Sequence, residues 1–189
     1  MSREERERLE ILERAQAYVR ERGVAGIGIE PVARWLGRPA SDLREFFETD
    51  HDLIMALVAL NRVRLREGYA RLTGDAALSE REVRRKMWDV YAASVDDSRP
   101  FFEAYALAMH DDQYGPFLHG IKDWLNLIVE SLNRRGFPGE HAAAFATLLL
   151  AAYRGAMLDY SLTRDAQRVE AAIELCFDML ERIEATSSY

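Results

Sequence analysis

Three short constellations in this chain carry groups able to do chemistry. His110-Asp111-Asp112, with His119 nine residues on, offers imidazole and carboxylate ligands of the kind a divalent metal takes. Their spacing does not pair ligands on one helix face, so a loop cap or solvated turn fits them better. Glu48-x-x-His51 is half of the doubled Glu-x-x-His arrangement that holds a di-iron centre in a helical bundle. No second copy exists, which excludes that oxidase class. Ser131, His119 and Asp123 have the types of a nucleophilic triad but no diagnostic spacing. The sequence also lacks a Gly-x-Gly-x-x-Gly fingerprint, a Walker loop and a Gly-x-Ser-x-Gly elbow. No catalytic residue, metal or cofactor is therefore expected.

The single cysteine, Cys176, sits in the apolar stretch Ile173-Glu174-Leu175-Cys176-Phe177 and reads as a small buried side chain. One cysteine forms no internal disulfide, consistent with a reducing compartment. The first eight residues are densely charged without an apolar signal core, and the apolar-rich run 142–153 is shorter than a bilayer needs. These features point to a cytoplasmic protein without a membrane partner. A formal net charge of -7 argues against general coating of nucleic acid, while leaving room for a local basic patch.

The elements that position these groups are helical throughout. Leu9, Leu12, Ala15, Gln16 and Val19 mark the buried stripe of a first helix, from about Arg3 to Arg22, which Gly23 stops. A short helix over 29–36 follows Gly28, with Pro31 in its first turn. Gly37-Arg38-Pro39 makes a tight turn into a third helix over 40–47. Thr49 or Asp50 caps a longer fourth helix, and Thr73-Gly74-Asp75 breaks the chain after it. Ser79 and Glu82 have capping-box spacing at the head of a fifth. Further helices run from Pro100 to His110, Gly115-Pro116 to Arg135, 140–162 and 165–184, with Gly136-Phe137-Pro138-Gly139 as a break. The expected fold is all-α, with about nine helices. A helix-turn-helix domain would occupy residues 1–52 and a larger helical body 53–189.

Residues 9–53 resemble the tetracycline-repressor (TetR) family of transcriptional regulators. The resemblance rests on Ile11-Leu12, Ala15, Gly23, Ile27, Ile29, Val32-Ala33, Leu36-Gly37, Leu43, Phe47 and Leu53. The spacing from Ala33 through Gly37 to Phe47 is its most specific part. It implies a homodimer whose heads read a palindromic operator, acting as a repressor that is released when a small hydrophobic effector enters the helical body. By position, Arg34, Arg38, Ala40, Ser41, Arg44 and His51 are the implied DNA contacts.

The departures from the family pattern fall on the DNA-facing surface. Gly28 stands where a hydroxyl residue usually starts the second helix, and Pro39 where a serine opens the third. Arg44-Glu45-Phe46-Phe47 replaces Tyr-x-His-Phe, and Asp50 replaces a phosphate-contacting lysine. Between Val24 and Asp52, three basic residues (Arg34, Arg38, Arg44) face six acidic ones (Glu30, Asp42, Glu45, Glu48, Asp50, Asp52). DNA affinity rests largely on Lys and Arg neutralising phosphates, so the alternative is a ligand-binding or protein-interaction module without operator recognition. Arg3, Arg6 and Arg8 offer an N-terminal arm, offset by Glu4, Glu5 and Glu7.

In the body, Trp88, Tyr91, Tyr105, Trp124 and Tyr153 combine apolar rings with polar tips suited to orienting an apolar or aromatic ligand, against the simpler reading that they fill the core. The alanines of 142–156 with Gly155, and Leu148, Leu149, Val169, Ile173, Phe177 and Leu180, suit a homodimer through the last two helices. An intramolecular role for the same residues is the competing reading.

Overall fold

A computed structural model describes residues 2–73, 78–93, 98–134 and 139–187. Helix α1 (Arg3–Arg22) starts on a capping box in which Ser2 Oγ accepts the Glu5 N–H at 3.0 Å. The Glu5 carboxylate accepts the Ser2 N–H at 2.6 Å in return. Because the chain is helical from Arg3, Arg3, Arg6 and Arg8 form no extended arm; Arg8 instead lies over the Phe47 ring, 5.1 Å from its centroid.

Helix α2 (Ile29–Leu36) ends at Gly37, whose φ of +69° is the left-handed geometry that only glycine adopts without strain. The N–H of Arg38 reaches back to the Ala33 carbonyl at 3.0 Å, and Pro39 then holds the extended backbone ahead of α3 (Ala40–Arg44). Helix α3 is one turn shorter than periodicity suggests. The N–H groups of Phe46 and Phe47 both turn onto the Leu43 carbonyl, which brings the Phe47 ring into the core. Helix α4 (Asp50–Thr73) opens with Thr49 as its cap, the Thr49 hydroxyl accepting the Asp52 N–H at 3.1 Å.

Helix α5 (Glu80–Ala93) carries the capping box expected from Ser79 and Glu82, with the Ser79 N–H donating to the Glu82 carboxylate at 2.7 Å. Helix α6 (Arg99–Ala108) leads into a 3-10 segment, Asp112–Leu118, started by the Asp111 carboxylate accepting the Gln113 N–H at 3.0 Å. The α-helix expected from Gly115 therefore begins later, as α7 (His119–Arg134), and Asp111 serves as a loop cap. Helices α8 (Gly139–Thr163) and α9 (Ala166–Ser187) pack together across a two-residue link. The expected breaks at Gly74-Asp75 and Gly136-Phe137-Pro138 lie outside the described residues. Among the described residues there are nine α-helices and no strand.

The chain divides into two compact units, Met1–Arg64 with Arg99–Gly120, and Leu65–Ser98 with Ile121–Tyr189. The core of the first includes Ile11, Leu12, Ala15, Ile29, Val32, Ala33, Leu36, Leu43, Phe47, Leu53, Ala104 and Tyr114. Helix α6 and the 3-10 segment thus pack with the helix-turn-helix, 78 to 88 residues from the loop they hold. The Glu103 carboxylate accepts the N–H groups of Val24 at 2.8 Å and Ala25 at 3.1 Å, and the Tyr114 hydroxyl accepts that of Gly26 at 2.9 Å. Gly23 has φ +83°, and a Cβ there would fall onto the Glu103 carboxylate. Hydrogen bonds to a charged group contribute about 1.5–3 kcal/mol each, so losing the two that Glu103 accepts is expected to make Glu103→Ala destabilise the first unit by about 3 kcal/mol or more. Thermal melts should show the loss, and hydrogen exchange at residues 24–26 should accelerate. Unchanged exchange there would remove the latch.

In the second unit, Val83, Met87, Trp88, Phe145, Leu149, Tyr153, Ile173 and Phe177 are buried together from α5, α8 and α9. Arg81 reaches Asp178 at 2.7 Å and Glu181 at 3.0 Å, while Arg85 reaches Glu174 at 2.7 Å. Arg85, with Arg81, holds the Glu174 carboxyl below the ordinary carboxylate range. Helix α8 continues to Thr163, so by length and composition the span His141–Thr163 is long and apolar enough to cross a membrane, contrary to the estimate from the shorter run. Its inner face, Ala142, Phe145, Ala146, Leu149, Leu150, Tyr153 and Met157, is packed within the unit, as in the core helix of a globular protein.

Candidate nucleic-acid interface

The first unit displays the side chains expected to meet DNA on α2, the turn, α3 and the start of α4. Arg34, Ser41, Arg44 and His51 are exposed, and Arg38 is half-buried. Ala40 is partly buried against the core, so it spaces the helix more than it projects from it. Arg34 has no ion-pair partner among the described residues. The other two arginines are paired within the chain. Arg38 Nη2 meets Glu7 at 3.0 Å and its Nε meets Asp42 at 3.3 Å. Arg44 Nη2 meets Glu30 at 3.0 Å. The Glu7 carboxylate, ahead of Asp42, pushes the Arg38 guanidinium above its ordinary range.

Two of the departures seen in the sequence form a single contact. Helix α2 has Gly28 at its N-cap and so no side-chain cap of its own. Asp50, at the start of α4, supplies the missing acceptor: its Oδ1 takes the Ile29 N–H at 2.7 Å. A Cβ at position 28 would stand 2.7 Å from Asp50 Oδ2, so the glycine makes room for the carboxylate. Gly28 and Asp50 thus exchange a local cap for a distant one. Asp50 was legible as a departure, but its partner was not. Of the acidic partners, only Asp42 stood at a readable spacing, four residues after Arg38.

The residues proposed to line a ligand site fall in different places. Trp88 and Tyr153 lie in the core of the second unit, each 1% exposed, with ring centroids 6.4 Å apart. The Tyr153 hydroxyl donates to the Arg84 carbonyl at 2.7 Å, which ties α8 to α5. Trp88 Nε1 is buried without a hydrogen-bond partner among the described residues. Trp124 is half-buried and meets Tyr69 edge-on at 5.8 Å. Tyr105 belongs to the first unit, edge-on to Phe101 at 4.5 Å. The side chain of Tyr91 lies outside the described residues.

The last two helices keep an apolar face outside this core. Ala144, Leu148, Ala151, Gly155, Leu158 and Leu162 form an exposed stripe along α8, and Leu175 and Met179 are exposed on α9. Ala142, Ala146, Leu149, Val169, Ile173, Phe177 and Leu180 are buried inside the chain instead, correcting their reading as interface surface.

No protein-family model and no curated protein matches the sequence. Solved structures do. A TetR transcriptional regulator from Legionella pneumophila superposes with a TM-score of 0.74 at 15% identity, over 89% of this chain and 94% of its own. A structure assigned to the TetR family from Mesorhizobium loti MAFF303099 gives 0.70 at 18% identity, over 97% and 98%. Another so assigned, from Rhodococcus sp., gives 0.63 at 19% identity, over 89% and 97%. The chain has the fold of TetR-family transcriptional regulators.

Proposed function

We propose that this protein is a cytoplasmic, homodimeric transcriptional regulator that binds operator DNA through its helix-turn-helix and is released by a small hydrophobic effector. The observation that carries the reading is the head itself. The left-handed Gly37 turn and Pro39 present α3 with Ser41 and Arg44 outward, over a core closed by Leu43 and Phe47. The fold shared with TetR regulators supports the same assignment. Arg34, Arg38, Ser41, Arg44 and His51 are the contacts, with Ala40, packed partly against the core, spacing α3 among them. The effector enters the helical body, where Trp88 and Trp124 supply ring surface and the buried Trp88 N–H a donor. The dimer forms through the exposed faces of α8 and α9.

Titration of the purified protein against its own promoter region, beside a scrambled duplex, tests this. Specific binding that falls steeply with salt is the expected result, and Arg44→Ala should weaken it by roughly tenfold or more. Equal, feeble binding of both duplexes would favour the second reading. That reading, a ligand-binding or protein-interaction module without operator recognition, draws on the intramolecular pairing of Arg38 and Arg44.

A further inference from the structure

Two of the three arginines between Val24 and Asp52 are engaged by carboxylates of the same chain, and the amide that opens α2 is engaged by a third. Glu7 comes from α1, Glu30 from α2 and Asp50 from α4, so three helices contribute acids to one small surface. The Arg44–Glu30 pair is half-exposed on both sides (52% and 60%), and Arg38–Glu7 is about one-third exposed (31% and 38%). A DNA backbone can therefore reach these groups. Pairs this exposed are weak, so phosphates can exchange with them.

We infer that the reading head is self-paired: Glu7 and Glu30 occupy the Arg38 and Arg44 guanidinium groups that DNA phosphates would take, and DNA binds by displacing them. The inference rests on the DNA-binding reading above and gives it a regulatory property. A phosphate arriving at Arg38 or Arg44 releases a carboxylate, which gathers a cation and remains close to the DNA as a repelling charge. Part of the counterion release that drives binding is thereby returned. Affinity is held low for every sequence, and only a duplex that adds base contacts compensates. Asp42 and Asp50 act in the same sense, at the second edge of Arg38 and on the Ile29 N–H.

The test compares two full-length double variants with equal charge change. Glu7→Gln with Glu30→Gln removes the paired carboxylates. Glu45→Gln with Glu48→Gln removes two exposed carboxylates of the same head that pair with no arginine among the described residues. Binding is measured by fluorescence anisotropy on a random-sequence duplex and on the promoter duplex, across a salt series, with helical content and melting recorded. The paired variant is expected to bind the random duplex roughly tenfold tighter than wild type, with a salt slope steeper by up to about two. The control variant should gain no more than about threefold, with little change in slope. Equal gains would show net charge alone at work and overturn the self-pairing. No gain in the paired variant, with specific promoter binding in wild type, would overturn the inference and leave the DNA-binding reading standing. If neither wild type nor the paired variant binds any duplex, both fall.

Discussion

Replacing Phe47 with alanine should destabilise the first unit by about 3–5 kcal/mol, the usual cost of emptying a buried phenyl site. Phe47 is 1% exposed and belongs to the cluster holding Leu12, Val32, Leu36, Leu43 and Leu53. Its ring also carries the Arg8 guanidinium on one face. The backbone turn that brings it inward depends on a hydrogen bond from its N–H to Leu43 at 2.9 Å. Small domains are marginally stable, so a loss of this size removes a large share of the head's stability. Denaturant melts followed by helical signal should show an early transition for the first unit, and DNA binding should vanish with it. Phe47→Leu keeps most of the apolar volume and should retain most of the stability. A midpoint unchanged by Phe47→Ala would mean that this ring does not close the head.

Leu148→Glu combined with Leu175→Glu should convert the proposed dimer to a monomer while leaving the protomer folded. Both side chains are largely exposed in the protomer, 58% and 61%, so neither charge disturbs its core. In a symmetric interface each substitution counts twice. Fully burying a leucine contributes about 1.5–3 kcal/mol, so losing four such side chains weakens association roughly a thousandfold or more. Sedimentation or light scattering at micromolar concentration should show the mass halved, with melting little changed. Operator affinity should fall in step, because two heads on one palindrome depend on their linkage. A wild-type protein that is monomeric at high concentration would sink the dimer, as would a double variant that still associates as wild type does.

Much of the scaffold was legible in the sequence because it depends on local physics. The stripe of Leu9, Leu12 and Ala15 marks α1, and Gly23 and Gly37 stop helices where positive φ is required. Ser79 and Glu82 announce the start of α5 through a motif four residues long. The spacing from Ala33 to Phe47 placed the helix-turn-helix, with the turn and the buried positions in their correct order. The exposed arginines of the head were legible by the same spacing.

Other features arose only when distant segments met. The Glu103 and Tyr114 latch spans 78 to 88 residues, and no local pattern links a carboxylate on α6 to the amides of residues 24 and 25. Asp50 looked like a misplaced acid until the fold set it against the uncapped end of α2. The pairing of Arg38 with Glu7 and of Arg44 with Glu30 likewise depends on how α1, α2 and α3 pack. The faces of α8 were hidden for the opposite reason. That helix is apolar nearly all round, so periodicity could not separate Phe145 and Leu149, packed inside, from Leu148 and Leu158, left exposed. Local propensity and capping chose the helices; which of their charges and apolar faces remain available to a partner was decided by tertiary packing, because burial and ion pairing depend on neighbours far away along the chain.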